Sequence, residues 1–348
     1  MRALRYLVPA AALLVLVVSR QAPAGPQHSE AEGTGRLKPL VAGPQAQQVL
    51  VGLYLQNVPD VDIKTNSFGA EFYLWFVWGG DIDPTQSFEL TNVVSVTELT
   101  KVPVFTDASG NPAPETLPDG RKLQQYHVWG RFGRPFPLAR YPFDDHELVI
   151  SLEDSRHSTD RLVHQVDAKG SKMRSDLEIP GWLLHPMTPR QGQVTFESNF
   201  GDPRSGRDDD TYSHVDFALR IERPWVGIVS KTIIPIALII LITFGAFFLQ
   251  ASDIDARLSL TITALISAVA LQFTAATELP PTGSLLLLDK IYILSYLAIL
   301  TVTFCSIAAN RLFHAEKLKA AALTNRVGLW GTATAYFGAL AFFLLSSR

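Results

Sequence analysis

Residues 255–278 read DARLSLTITALISAVALQFTAATE, and the rest of the chain is best read outward from them. The stretch is long and apolar enough to cross a bilayer as a helix, which takes about 20 residues. Yet it carries Ser259, Thr261, Thr263, Ser267, Gln272, Thr274 and Thr277. At about 100° per residue, Asp255, Ser259, Thr263, Ile266, Ala270, Phe273 and Thr277 fall within about 40° of one line. That face begins with an acid, continues with hydroxyls and then turns apolar. Hydroxyls at membrane depth meet either another helix or water, and the stripe alone leaves packing and pore lining both open. In a pore, Ser259 and Thr263 would replace part of an ion's hydration, and Ile266 to Phe273 would close the path by dewetting. Asp255 would charge one mouth, or else serve as a solvated loop acid or helix N-cap. One chain supplies one such helix, so a pore takes several copies around an axis.

Hydrophobic residues make up 47% of the 348 and charged ones 18%, below the roughly 25% usual for soluble domains. The deficit is local: between Trp225 and Leu249, Lys231 is the single charge. A wholly soluble enzyme is excluded, and a net charge of −3 offers no basic excess for nucleic acid. Four spans are expected, at about 225–250, 256–278, 284–310 and 327–345. The linker between the last two holds Arg311, Lys317, Lys319 and Arg326 against Glu316, so the positive-inside rule puts it in the cytoplasm. Arg2 and Arg5, the apolar Leu7 to Val18 and then Ala22-Pro23-Ala24 read as a secretory signal over 1–24. An uncleaved N-terminal anchor is the other reading. A cleaved signal sends the following domain outside, and four spans return the C-terminus there.

Residues 25–46, rich in Gly, Pro and Gln, read as a disordered leader. From 47 to 222 the pattern is β. Gln48 to Gln56 alternates apolar and polar, and Phe68 to Trp78 is aromatic and β-branched. Turn clusters recur at Gly79-Gly80-Asp81, Asp107 to Gly110, Pro118-Asp119-Gly120 and Gly201-Asp202-Pro203. Roughly ten short strands at this spacing predict an immunoglobulin-like β-sandwich. The expected fold is therefore β + α: an extracellular sandwich followed by a four-helix transmembrane domain over 223–348. The one cysteine, Cys305, excludes an intrachain disulfide, so the sandwich must fold on its own core. Inside an apolar run, Cys305 reads as a packing residue rather than a reactive thiol. No Gly-rich phosphate loop or nucleophile elbow appears. His127, His146, His157, His164 and His185 are scattered rather than set at ligand spacing. Neither catalysis nor a cofactor is expected.

Arg140-Tyr141-Pro142-Phe143-Asp144, followed by His146 and Leu148-Val149-Ile150, resembles the aromatic-Pro-Phe-Asp signature of the pentameric ligand-gated ion channels, the Cys-loop receptors. Leu219-Arg220-Ile221-Glu222-Arg223, with Pro235 twelve residues on, resembles their junction into the first span. Asp255-Ala256-Arg257-Leu258-Ser259-Leu260, running to Glu278-Leu279-Pro280, resembles their pore helix without a gap. Tyr54 and the Phe72–Trp78 strand are similar to the family's first strands. The resemblance covers about residues 48–348 and is strongest to bacterial proton-gated members. It implies a homopentamer in a lipid bilayer, the bacterial inner membrane, with the sandwich outside the cytoplasm. It also implies a pore for inorganic ions lined by the second span, and gating by a proton or a small molecule bound between sandwiches. The positions that would hold the two Cys-loop cysteines carry Arg134 and Leu148, as in bacterial members. The large cytoplasmic insert of animal receptors has no counterpart.

The same resemblance implies residue roles. Pore lining falls on Asp255, Ser259, Thr263, Ile266, Ala270, Phe273 and Thr277. Coupling of gate to agonist falls on Asp60, Asp62, Pro142, Phe143, Asp144, Arg223 and Pro280, with Arg223 meeting Asp144 and Asp60 or Asp62. Arg223 as a headgroup anchor is the alternative. For an agonist, Tyr73, Tyr126, Phe200 and Tyr212 either line a reduced pocket or pack within the sandwich. Arg156 and His157 suit an anion or a proton better than the amines that other members hold in aromatic cages. Asp208, Asp209 and Asp210 form either a solvated tip or a carboxylate cluster of the kind calcium favours. Asp255 matches the acid of cation-selective members, whereas Ala256-Arg257 matches the end of the anion-selective Pro-Ala-Arg. Since that Arg position faces away from the pore in the family, cation selectivity is expected. A membrane-anchored periplasmic sensor of this architecture that does not conduct is the second reading.

Overall fold

The computed structural model describes residues 37–198, 210–277, 279–281 and 285–346. The chain divides into two compact units, one of strands and one holding the helices after Arg223 together with the loop Pro137–Asp144. The signal, most of the leader, Phe200, Asp208 and Asp209 lie outside the described residues.

The longer strands are β1 (Gln47–Asn57), β2 (Ser67–Trp78), β3 (Phe88–Leu90), β4 (Thr100–Pro103), β5 (Lys122–Gly133), β6 (Asp145–Asp154), β7 (Leu162–Val166), β8 (Thr188–Phe196) and β9 (Asp210–Glu222). Alternation fixes their faces, because successive strand side chains point to opposite sides. Val49, Val51, Leu53 and Leu55 of β1 are buried, as are Phe72, Leu74, Phe76 and Trp78 of β2. One sheet runs β7–β1–β2–β5–β4, with β7 parallel to β1 and the others antiparallel. The second runs β8–β9–β6–β3, all antiparallel. Phe68, Phe72, Phe132, Ile150, Leu152, Val215 and Phe217 fill the space between them. Each such side chain contributes about 1.5–3 kcal/mol of burial, which is how a domain without disulfides holds.

The leader departs from expectation. Its polar composition predicts disorder as far as residue 46, yet from Leu37 the chain is tied to the sandwich. Lys38 bridges to Gln193, the Val41 amide donates to Gln193 Oε1 at 2.9 Å, and the Gly43 amide donates to the Thr159 carbonyl at 3.0 Å. A Cβ on Gly192 would lie 2.5 Å from Leu37 Cβ, so the glycine permits this approach. Composition describes a segment by itself and cannot register a partner 150 residues away.

The first span is irregular. It begins at Trp225–Ile228, passes a π-helical turn at Val229–Ile233, continues over Ile234–Phe244 and closes with a 3-10 turn at Gly245–Phe248. The second, third and fourth are Ile254–Ala276, Leu287–His314 and Leu318–Ser346. Each of the four is long and apolar enough to cross a membrane. The fourth helix begins ahead of its apolar stretch because Leu318, Lys319, Ala320, Ala321, Ala322 and Leu323 are strong helix formers. Lys319 and Arg326 therefore sit on helix, and a short turn at 315–317 remains. Ile236, Ile240, Phe247, Ile291, Tyr292, Ile299, Val302 and Tyr336 build the helical core, and Tyr141 and Phe143 of the loop pack against it. Cys305 is buried there. A Cβ on Gly328 would lie 2.8 Å from the Phe247 ring and 3.1 Å from Cys305 Sγ, so the missing side chain lets the fourth helix close on its neighbours.

Candidate pore and gating sites

The second span buries Arg257, Thr261, Ala264 and Ala268. At about 100° per residue these form a line about 180° from Ser259. Opposite them, Asp255, Ser259, Thr263, Ile266, Ala270, Phe273 and Thr277 are all exposed in the single chain. Ile266 keeps 64% of its surface and Phe273 71%. The chain's own helices thus cover one side of this span and leave the hydroxyl stripe open. Gln272 lies within about 40° of the buried line, and Tyr296 of the third span donates its hydroxyl to Gln272 Oε1 at 2.5 Å. Pro280, half-buried, lines a cavity of about 360 Å³ with Gln272, Leu279, Pro281, Asp289 and Tyr292.

The signature loop is held by its charge and its rings. Asp144 is buried, and Arg223 Nε donates to Asp144 Oδ1 at 2.9 Å. The Arg223 guanidinium also lies 5.2 Å from the Tyr141 ring centroid, within cation–π range. Pro142 follows a cis peptide bond, and Phe143 reaches the helical core. Asp60 and Asp62 have partners inside the sandwich. Arg131 Nη2 donates to Asp60 Oδ2 at 2.7 Å. Asp62 accepts from the Lys64 and Thr65 amides, and its hydrogen bonds to Thr65 and then Lys64 hold its carboxyl below the ordinary value.

The candidate agonist residues scatter over several faces. Tyr73 of β2 stacks on His127 of β5, its register partner, with ring centroids 4.3 Å apart. His127 Nε2 meets Glu71 Oε1 at 3.0 Å, and Trp129 adds a third ring 3.9 Å from that of His127. Tyr126, one residue along β5, points the other way: it is buried and packs on Phe88 at 5.2 Å. Tyr212 sits on the β8–β9 hairpin, edge-on to Phe196. Arg156 is exposed, and its amide with that of His157 donates to the buried Asp154 carboxylate at 2.8 and 2.6 Å. Ser87 Oγ donates to the other oxygen of Asp154 at 2.6 Å. Asp154 therefore anchors the loop that carries both residues.

A polar network on β6 and β9 was not read from the sequence, since its members meet only once those strands are in register. His214 lies between Glu153 (2.6 Å) and Asp216 (2.9 Å), and Ser151 Oγ donates to Asp216 Oδ1 at 2.6 Å. Burial alone would lower the imidazole's pKa, but the hydrogen bonds and charges of Asp216 and Glu153 outweigh it and push it up to about 9. Nearby His164 is wholly buried, and among the described residues neither ring nitrogen has a hydrogen-bond partner. Burial, only partly offset by Asp154, pushes its pKa down to about 4. A raised histidine pKa contributes stability that is complete below the unfolded value of 6.5 and is lost as pH rises through about 9. For His214 that is on the order of 3 kcal/mol. Thermal unfolding of the wild type should therefore weaken between pH 6.5 and 9, and His214→Gln should remove that slope. Identical slopes would show that the network carries no such linkage.

Among the described residues, the two units together are a β-sandwich and four membrane-capable helices, the architecture of a multi-pass membrane protein. No family model matches the chain. It is 25% identical over 269 residues to the proton-gated ion channel of Gloeobacter violaceus, covering 73% of this chain and 72% of that protein. It is 25% identical over 155 residues to the neuronal acetylcholine receptor subunit alpha-10 of Homo sapiens, covering 44% of this chain and 32%, about a third, of that subunit. The chain is a homologue of these two proteins, both pentameric ligand-gated channels, and carries Arg134 and Leu148 where a Cys-loop would place its cysteines. Its relatives are a channel and a receptor subunit, not enzymes.

Proposed function

We propose that five copies assemble around the second spans to form a cation-selective channel opened from outside, with protons as the agonist. The observation that carries this reading is the open stripe. All seven of its residues are exposed in the single chain while the opposite line is buried. Hydroxyls and an acid left facing lipid are costly, and copies around a common axis would turn them toward water. Asp255 then rings one mouth with negative charge, which favours cations.

Two observations favour protons. The Gloeobacter relative is a proton-gated ion channel. In this chain His164 is held neutral down to about pH 4, so acid favours any conformer in which that ring is wetter. The test is a recording from purified protein in liposomes, with external pH stepped from neutral towards about 4. Current should appear on acidification and should reverse near the sodium potential under a salt gradient. Asp255→Asn should lower its conductance and leave its pH dependence unchanged. A chloride-like reversal potential would refute the selectivity, current evoked only by a small amine or acid would refute the proton, and a one- or two-chain native mass would refute the assembly. A correctly assembled pentamer that never conducts would favour a periplasmic sensor.

A further inference from the structure

The turn from the first span to the second displays four consecutive carbonyls, and side chains hold every one. Arg257 is fully buried one turn into the second span. Its Nη2 donates to the Leu249 carbonyl and its Nε to the Gln250 carbonyl at 3.1 Å. Asn310 of the third span donates from Nδ2 to the Ala251 and Ser252 carbonyls at 2.9 and 3.4 Å. Carbonyls at a helix end are short of partners. Within the turn the Asp253 amide reaches the Gln250 carbonyl at 3.0 Å and the Ile254 amide the Ser252 carbonyl at 2.9 Å, and the two side chains supply the rest. The remaining arm of the guanidinium, Nη1, donates to Asn325 Oδ1 at 3.0 Å on the fourth span. Two residues before Arg257, on the far side of the same helix, stands Asp255.

We infer that Arg257 is a positioning residue for the cytoplasmic mouth of the pore, and that Asn325 anchors it from the fourth span. The guanidinium fork fits three oxygens in fixed directions, which a lysine could not do. Held there, its charge stays behind the helix, and the turn keeps Asp255 toward the axis. With the Asn325 acceptor gone, one arm of a buried cation is unpaired. The long side chain then swings toward water at the mouth, and the turn it held loosens. Its positive charge there opposes the Asp255 ring. The outermost helix thereby acts on ion choice without touching the ion path. This inference rests on the channel reading for its effect on ions, but not for the clamp itself.

The test compares Asn325→Leu, which keeps the size and removes the acceptor, with Asn325→Asp, which restores it. Both are reconstituted as full chains. Hydrogen exchange of the 249–255 amides reports the clamp whether or not the protein conducts. Exchange should quicken by about tenfold or more in Asn325→Leu, the worth of a hydrogen bond to a charged group, and stay at the wild-type rate in Asn325→Asp. In the same preparations, the reversal potential of Asn325→Leu should move toward that of chloride, while Asn325→Asp stays sodium-like. Unchanged exchange in Asn325→Leu overturns the clamp. Faster exchange with an unmoved reversal potential overturns the role in selectivity. A wild type without current counts against the channel reading, and the exchange contrast then still decides for or against the clamp.

Discussion

Ile266→Thr should leave the channel leaking at rest. Ile266 stands on the open line of the second span, at the level where hydroxyls give way to Ala270 and Phe273, and keeps 64% of its surface in the single chain. In a five-fold ring its side chains would meet at the axis. An isoleucine ring offers an ion nothing in exchange for lost hydration, so water retreats and the path closes without a plug. Threonine keeps the β-branch but loses the δ-methyl and brings a hydroxyl, so five copies both widen the constriction and keep it wet. Each ~1.4 kcal/mol taken off that barrier raises the leak about tenfold. The measurement is holding current at neutral pH in liposomes, alongside the acid response. Wild-type resting current in Ile266→Thr would place the gate, or the helical face, elsewhere.

Arg223→Ala should give a protein that assembles and reaches the membrane but does not open. Asp144 is buried, and the Arg223 side chain that pairs with it keeps 19% of its surface. Removing one partner of such a pair costs roughly 3 kcal/mol, the lower end for a buried pair because Arg223 is partly wetted. The loss falls on a particular place. Pro137–Asp144 joins strands at both of its ends, yet by its contacts it belongs with the helices, where Tyr141 and Phe143 pack. In the proposed channel, movement of the strands would reach the helices through the chain at this loop and at Arg223, which holds the loop through Asp144. Arg223→Lys keeps the charge but not the Nε geometry, so it should open with reduced efficacy. Surface labelling reports assembly and current reports opening. A normal acid response in Arg223→Ala would mean that the arginine only holds the loop in place.

Much of this was legible in the sequence because it is periodic. Period-2 alternation in β1 and β2 pointed to the sandwich, and the 3.6-residue period drew the line from Asp255 to Thr277 that is exposed here. What stayed hidden depends on register or on a distant partner. Tyr73 and Tyr126 look alike in sequence, but parity along β2 and β5 puts one beside His127 and the other against Phe88. Asp60 looked available to the boundary, whereas the pairing of β2 with β5 brings Arg131 to it. The hold of Arg257 on Asn325 crosses 68 positions, and no local pattern announces it. Hydropathy marked where the fourth helix would enter lipid, not where it begins, since helix propensity carries it on through charged residues.

The lone thiol has a practical consequence. Cys305 is shut between the third helix and the close approach at Gly328, so the sandwich needs no oxidising machinery to fold and reductants should leave its melting unchanged. Maleimides and methanethiosulfonates should find almost nothing to modify in the folded protein. A cysteine introduced at Ser259, Thr263 or Ala270 would then be the sole reactive handle, and the native chain is already the blank background for mapping which rungs of that helix water can reach.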